Sequence, residues 1–205
     1  MPKIFSAEDR EVIRKQLLEA GREQFLRYGL RKTRVEELAG AVGIAKGTFY
    51  HFFTSKEELC FEIFEAEENG VAERVREILE GPEDAAATLQ AVLDFSMDYV
   101  QKDSLLRQLR ESGEFSLLGR GINGDKLAEH QNNDQALTGA VLEVLKKKGA
   151  GTDLDPAVLA GLFRALVMIP FHMREIGEDV YPRVIRVLTE AVTRRIVGGP
   201  EGGRP

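Results

Sequence analysis

The sequence predicts an all-α protein, and three observations carry that prediction. Apolar residues recur at three- and four-residue spacing, capping residues precede most of those runs, and no alternating apolar pattern of strand length is present. The first helix opens at Ser6, with Asp9 placing a carboxylate near the free amides of its first turn. Leu18, Gly21, Phe25 and Tyr28 continue its apolar face, and Gly29 supplies the stop. Thr33-Arg-Val-Glu36 reads as a capping box opening a short helix through Val42, which Gly43 ends. A third helix, about residues 45–52, follows after almost no linker. Ser55-Lys-Glu-Glu58 is a second capping box, opening a long helix that runs to Gly81-Pro82.

The later helices are longer. One covers residues 84–102, with Leu89, Val92, Leu93, Phe95 and Tyr99 at its apolar positions, and a weaker one covers 105–118. A Gly-rich stretch, 119–124, precedes a helix over 125–148. Asp155-Pro156 sets a capping residue before a first-turn proline, opening a helix that reaches Ile176 and that Pro170 should kink. The last helix spans 179–197.

Composition bounds the function. The 205 residues are 30% charged and 43% hydrophobic, an ordinary mixture for a soluble globular protein. No uninterrupted apolar run reaches the ~18 residues that span a bilayer, so no membrane partner is expected. The N-terminus lacks the apolar stretch of a secretory signal, and a single cysteine, Cys60, suits a reducing compartment; the cytoplasm is the expected location. The net charge of −6 divides unevenly. Residues 1–59 hold eleven Lys/Arg against nine Asp/Glu, and residues 22–56 hold seven against three. The rest of the chain is acidic, so positive charge collects where a polyanion would be met.

That same stretch, Thr33 to Phe53, has the parts of a helix-turn-helix. Ala39 is small enough for close approach of a second helix, Gly43 supplies the turn, and Ile44 and Phe49 offer apolar anchors. Lys46, Thr48 and Tyr50 remain to face outward at the start of a helix whose N-terminal residues would meet base edges. Tyr50, His51, Thr33 and Lys56 are types that donate hydrogen bonds to phosphate oxygens. Arg34 and Gly47, inside the same stretch, complete the DNA-contact set.

The pattern Thr33-x-Val35-x-x-Leu38-Ala39-x-x-x-Gly43-Ile44-x-Lys46-Gly47-Thr48-Phe49-Tyr50-His51-x-Phe53-x-Ser55-Lys56-x-x-Leu59 resembles the DNA-binding signature of TetR-family transcriptional regulators. Leu18-x-Ala20-Gly21-x-x-x-Phe25 and Gly29 extend the likeness upstream, to about residues 11–60. Two positions depart from the family pattern: Ala45 stands where Ser or Thr usually caps the third helix, and Gln24 where an apolar residue is usual. The resemblance implies a homodimer, usually a repressor released from a palindromic operator when a small molecule binds the C-terminal domain. It also implies that the last two helices build the dimer interface, here through Val184, Leu188 and Ala191.

The expected organisation is therefore a helix-turn-helix DNA-binding domain over 1–59, a helical bundle for ligand binding and dimerisation over 60–197, and a disordered tail over 198–205. The helix from Leu159 to Ile176 is apolar on more than one face and should be buried on several sides. Phe95, Tyr99, Phe115, Phe163, Met168 and His172 are the candidate pocket residues, suited to a hydrophobic or aromatic effector. The alternative is a ligand-independent architectural or cell-cycle factor using the same DNA-binding head. Gly119-Arg-Gly121-Ile-Asn-Gly124 spells a dinucleotide fingerprint, but that motif works only between a strand and a helix, so it reads as a loop. Three scattered histidines and one cysteine form no metal set, and no nucleophile turn is present. Neither catalysis, metal nor cofactor is expected.

Overall fold

The computed structural model describes residues 5–102, 104–118, 124–151 and 153–198, and among them every regular element is helical. The chain packs as two compact units, residues 1–68 with 103–127 and residues 69–102 with 128–205. The boundary expected after Leu59 isolates the helix-turn-helix alone. The first compact unit is larger because a later segment returns to pack on it.

The first unit opens with α1 (Ala7–Tyr28), whose capping box is complete: Ser6 Oγ accepts the Asp9 amide and Asp9 accepts the Ser6 amide, each at 3.0 Å. Its core face is Ile13, Leu17, Gly21 and Phe25, a strict four-residue spacing. Leu18 is only half-buried and Tyr28 is exposed, so the expected stripe is displaced by one position at its start and ends one turn early. Gly21 is there for room, since a Cβ would meet Leu59 and Ile63 side-chain carbons at 2.9 Å. Those residues lie on α4 (Lys56–Glu80), so the two long helices pack closely at this point. Between them come α2 (Val35–Ala41) and α3 (Lys46–Phe49), with Leu30, Leu38, Ala39, Phe49 and Phe53 buried. Ser55 Oγ accepts the Glu58 amide as expected, but the Glu58 carboxylate takes the Thr54 amide and hydroxyl instead of closing the box.

The same unit holds α6 (Leu105–Glu111) and α7 (Phe115–Leu118). One helix was expected over 105–118; it breaks at Gly113, whose φ of 68° no helix continues through. Leu105 and Leu109 are fully buried, and Phe115 meets Phe64 edge-on with ring centroids 5.9 Å apart. The Gly-x-Gly-x-x-Gly stretch lies outside the described residues apart from Gly124, and the tail lies outside them apart from Gly198.

The second unit takes the C-terminal part of α4, α5 (Ala85–Gln101), most of α8 (Gly124–Lys147), α9 (Pro156–Met168), α10 (Met173–Ile176) and α11 (Tyr181–Val197). Asp84 and Asp155 cap α5 and α9 through side-chain oxygens, at 2.9 Å and 2.7 Å. Leu89, Val92, Leu93, Leu145, Leu159 and Ile196 centre its core. Lys148 Nζ donates to the carbonyls of Gly81 (2.6 Å) and Glu83 (2.8 Å), tying the end of α8 to the α4–α5 turn. Pro170 interrupts the helix expected to reach Ile176 more fully than a kink would: without an amide proton there, the chain leaves α9 at Met168 through a 3-10 turn, Ile169–His172, before α10.

The expected burial of 159–176 is only partly met in this single chain. Leu159, Ala160 and Leu166 are buried, whereas Phe163, Val167, Met168, Ile169 and Phe171 are half-exposed and Val158 is open. Ala157–Ile176 is long and apolar enough to cross a membrane by length and composition, with a mean hydropathy of 1.4. It is not an unbroken apolar run, because Arg164 and Arg174 interrupt it.

Candidate nucleic-acid interface

The α2–α3 turn follows from its residues. Val42 N–H and Ile44 N–H both donate to Ala39 O, at 3.2 Å and 3.0 Å, closing the helix end. The chain can turn there because Gly43 adopts φ 72°, where a side chain would meet its own backbone. Across the turn Ala45 occupies the N-cap of α3 without a side-chain hydrogen bond, as its methyl dictates. The short helix is held instead by Phe49, fully buried, edge-on to Tyr50 at 5.5 Å and tilted against Phe53 at 5.9 Å.

With Phe49 inward, Lys46, Gly47, Tyr50 and His51 are exposed and Thr48 is half-buried, so five of the expected contact residues share one outward face. Arg34 is exposed at the N-cap of α2, where its amide donates to Glu37 at 3.2 Å. Lys46 Nζ sits 2.7 Å from Glu36 Oε1 on the exposed surface. That hydrogen bond raises the lysine's pKa and lowers the carboxyl's, so both stay charged near neutrality. Exposed pairs of this kind are weak, so the ammonium can exchange its carboxylate for a phosphate or a base edge.

Two expected contacts sit elsewhere. Thr33 is buried and its hydroxyl donates to Gly29 O at 2.8 Å, leaving no free hydroxyl for a phosphate. The helix therefore starts one residue later than the Thr33–Glu36 box predicts, with Arg34 at the N-cap position, where its side chain accepts nothing, and the Glu37 carboxylate accepting the Arg34 amide. Lys56 points back into its own unit, donating to the carbonyls of Leu30 (2.7 Å), Arg31 (3.0 Å) and Thr33 (2.9 Å). Both residues brace the turn before α2.

Sequence reasoning missed Arg10. It lies beside His51 around a cavity of about 350 Å³, its guanidinium 5.7 Å above the Phe52 ring. It precedes the motif by more than 20 residues and His51 by 41, so no spacing rule points to it. A second cavity, about 670 Å³, is lined by charged residues of α1 and α6, among them Arg22, Glu23, Arg107 and Glu111. None of the six expected pocket residues lines either cavity. Phe95 and Phe163 pack half-buried on the core of the second unit, Tyr99 and Met168 are half-buried, and His172 is exposed. Phe115 belongs to the first unit, where Arg110 stacks 3.6 Å from its ring centroid, so the six do not share one compact unit.

One substitution separates helix stability from surface shape. Gly47 lies inside α3, and a Cβ there would touch nothing within 4 Å. Gly47→Ala should therefore stabilise the chain by about 0.5–1 kcal/mol. It should at the same time weaken duplex binding, because the new methyl projects from the outward face. Thermal melting and fluorescence anisotropy check the two halves separately.

Residues 17–63 match the family model described as bacterial regulatory proteins, tetR family. The chain is 36% identical over 87 residues to the HTH-type transcriptional repressor KstR2 of Rhodococcus jostii (strain RHA1), covering 42% of this chain and 43% of that one. It thus spans less than half the length of that relative. It is 26% identical over 181 residues to the "Probable acrEF/envCD operon repressor" of Escherichia coli (strain K12), covering 82% and 80%. The solved structure of a TetR-family transcriptional regulator from Pectobacterium atrosepticum has the same fold, with a TM-score of 0.69, 21% identity, and coverage of 98% and 100%. The signature from Thr33 to Leu59 lies within the matched residues 17–63, so the N-terminal head is similar to that of the tetR family of bacterial regulatory proteins, and the fold of the chain is that of a solved TetR-family regulator.

Proposed function

We propose that the protein is a sequence-specific DNA-binding transcriptional regulator, acting as a repressor. The observation that carries this reading is the outward face of Lys46, Gly47, Thr48, Tyr50 and His51, on a helix pinned by Phe49 and set off by the Gly43 turn. These residues and Arg34 are the proposed DNA contacts, with Thr33 and Lys56 holding the turn behind them. The names of two relatives, both repressors, support that sign of regulation over a ligand-independent architectural factor. The reading is of a regulator and not of an enzyme, and its DNA partner implies the cytoplasm.

The same proposal includes a homodimer. On α11, Ile185, Thr189, Val192 and Ile196 turn toward the core, while Leu188 and Ala191 are exposed and Val184 is half-buried. With Val187, which is 64% exposed, they form a second apolar stripe on α11. A second copy of the chain suits that surface, and two heads about 34–36 Å apart suit two half-sites one helical turn apart. Leu188→Glu should convert the dimer to monomer in sedimentation velocity and lower operator affinity with it. A small hydrophobic or aromatic effector is proposed for the second unit, where Phe95 and Phe163 flank the core.

The test is selection of bound sequences from random duplex DNA by the full chain. Enrichment of a palindrome with half-sites one turn apart is expected, and a bound pool no different from the input would defeat the reading.

A further inference from the structure

Glu114 stands between α6 and α7, and the two amides its carboxylate accepts lie 83 and 84 residues away in the chain. Its carboxylate is buried in the first unit. Oε2 accepts the amide of Leu30 at 2.7 Å and Oε1 accepts the amide of Arg31 at 3.2 Å. Across the same turn, the Lys56 ammonium collects the carbonyls of Leu30, Arg31 and Thr33. An anion thus holds the amide side of residues 29–33 and a cation holds the carbonyl side, each through charge-assisted hydrogen bonds. Gly29 leaves the opening: a Cβ there would lie 3.0 Å from Glu114 Oε2. One residue beyond this turn is Arg34, where α2 and the outward face of the helix-turn-helix begin.

Glu114 is itself fixed. Its amide donates to Leu109 O at 2.8 Å, and its carbonyl accepts the Leu117 amide at 2.8 Å. The start of α6 is tied by Glu67, which accepts the Leu105 amide at 3.0 Å and Arg22 Nε at 2.9 Å. The α6–α7 segment is therefore built into the first unit through two carboxylates and the Phe64–Phe115 contact.

We propose that Glu114 is a positioning residue for DNA binding: its carboxylate sets the 29–33 turn, and so the presentation of α2 and α3, which lets the α6–α7 segment control operator affinity. The proposal rests on the DNA-binding reading above. It concerns a regulatory contact and not a DNA contact, since the side chain is buried and carries the wrong charge for phosphate.

The test compares wild type with Glu114→Gln in the full chain. The measurements are amide hydrogen exchange and affinity for the selected duplex and for a scrambled one, at several salt concentrations. Gln keeps the shape but sets an N–H against an amide. Exchange at Leu30 and Arg31 should accelerate by roughly tenfold or more, and operator affinity should fall by roughly tenfold. Affinity for scrambled DNA and the salt slope should stay as in wild type, because no cation is lost; a merely structural role would not separate these readouts. Glu114→Asp, charged but one methylene shorter, should recover part of the affinity, and it carries the comparison if Glu114→Gln does not fold. Operator affinity unchanged while exchange accelerates would overturn the proposal, as would unchanged exchange. A wild-type chain that itself prefers no duplex overturns the DNA-binding reading and this proposal together, which its own titration reveals.

Discussion

Lys56→Met is expected to lower the stability of the chain by about 2 kcal/mol, because three carbonyls lose a charged donor and the Leu30 and Thr33 ones sit partly buried. The methionine keeps the length of the stem, so packing changes little and the loss reports the ammonium. If Lys56 instead touched a phosphate, the outcome would differ in kind. Stability would hold, and the slope of log affinity against log salt would become shallower by about one unit. Urea unfolding and a salt series of anisotropy titrations distinguish the two. The geometry predicts a lower urea midpoint, an unchanged slope and an affinity reduced in step with the loosened 29–33 turn.

Phe49→Ala should cost more, about 3–5 kcal/mol, as for other fully buried phenylalanines. The short α3 has no N-cap side chain and only four residues, so little else holds it. Its removal strips the ring from both Tyr50 and Phe53. The expected result is loss of duplex binding with the second unit still folded, since that unit's core draws on none of these residues. Phe49→Leu, which refills most of the volume, should restore most of both. Far-ultraviolet circular dichroism with hydrogen exchange on α5 and α11 shows whether the loss is confined to the head.

What could be read in advance was local. The Ser6–Asp9 box, the Asp155 cap and the Gly43 turn all depend on residues within a turn of one another, and each stands where the sequence put it, while the kink expected at Pro170 is a full interruption of the helix at the same place. Lys46, Gly47, Tyr50 and His51 follow from the same logic, because burying Phe49 leaves them outward. The errors arose where a group outside the motif, near or distant in the chain, competes for a side chain. Thr33 looked like a cap but its hydroxyl goes to Gly29, and Arg34 takes the capping position. Lys56 looked like a phosphate ligand but is taken by carbonyls 23 to 26 residues away. Glu114 was invisible, since a single carboxylate in a helical region carries no mark of an amide 84 residues distant. The pocket suffered likewise: Phe115 has the right chemistry, yet it packs on Phe64 in the other compact unit from Phe95 and Phe163.

DNA recognition by the face around Lys46 and Tyr50 underlies every binding expectation above. It is tested most directly by titrating the full chain with the selected palindrome and with a scrambled duplex of equal composition, at physiological salt. Binding at least about 10³-fold tighter to the palindrome is expected. Equal affinity for the two duplexes, or binding to neither, would contradict it.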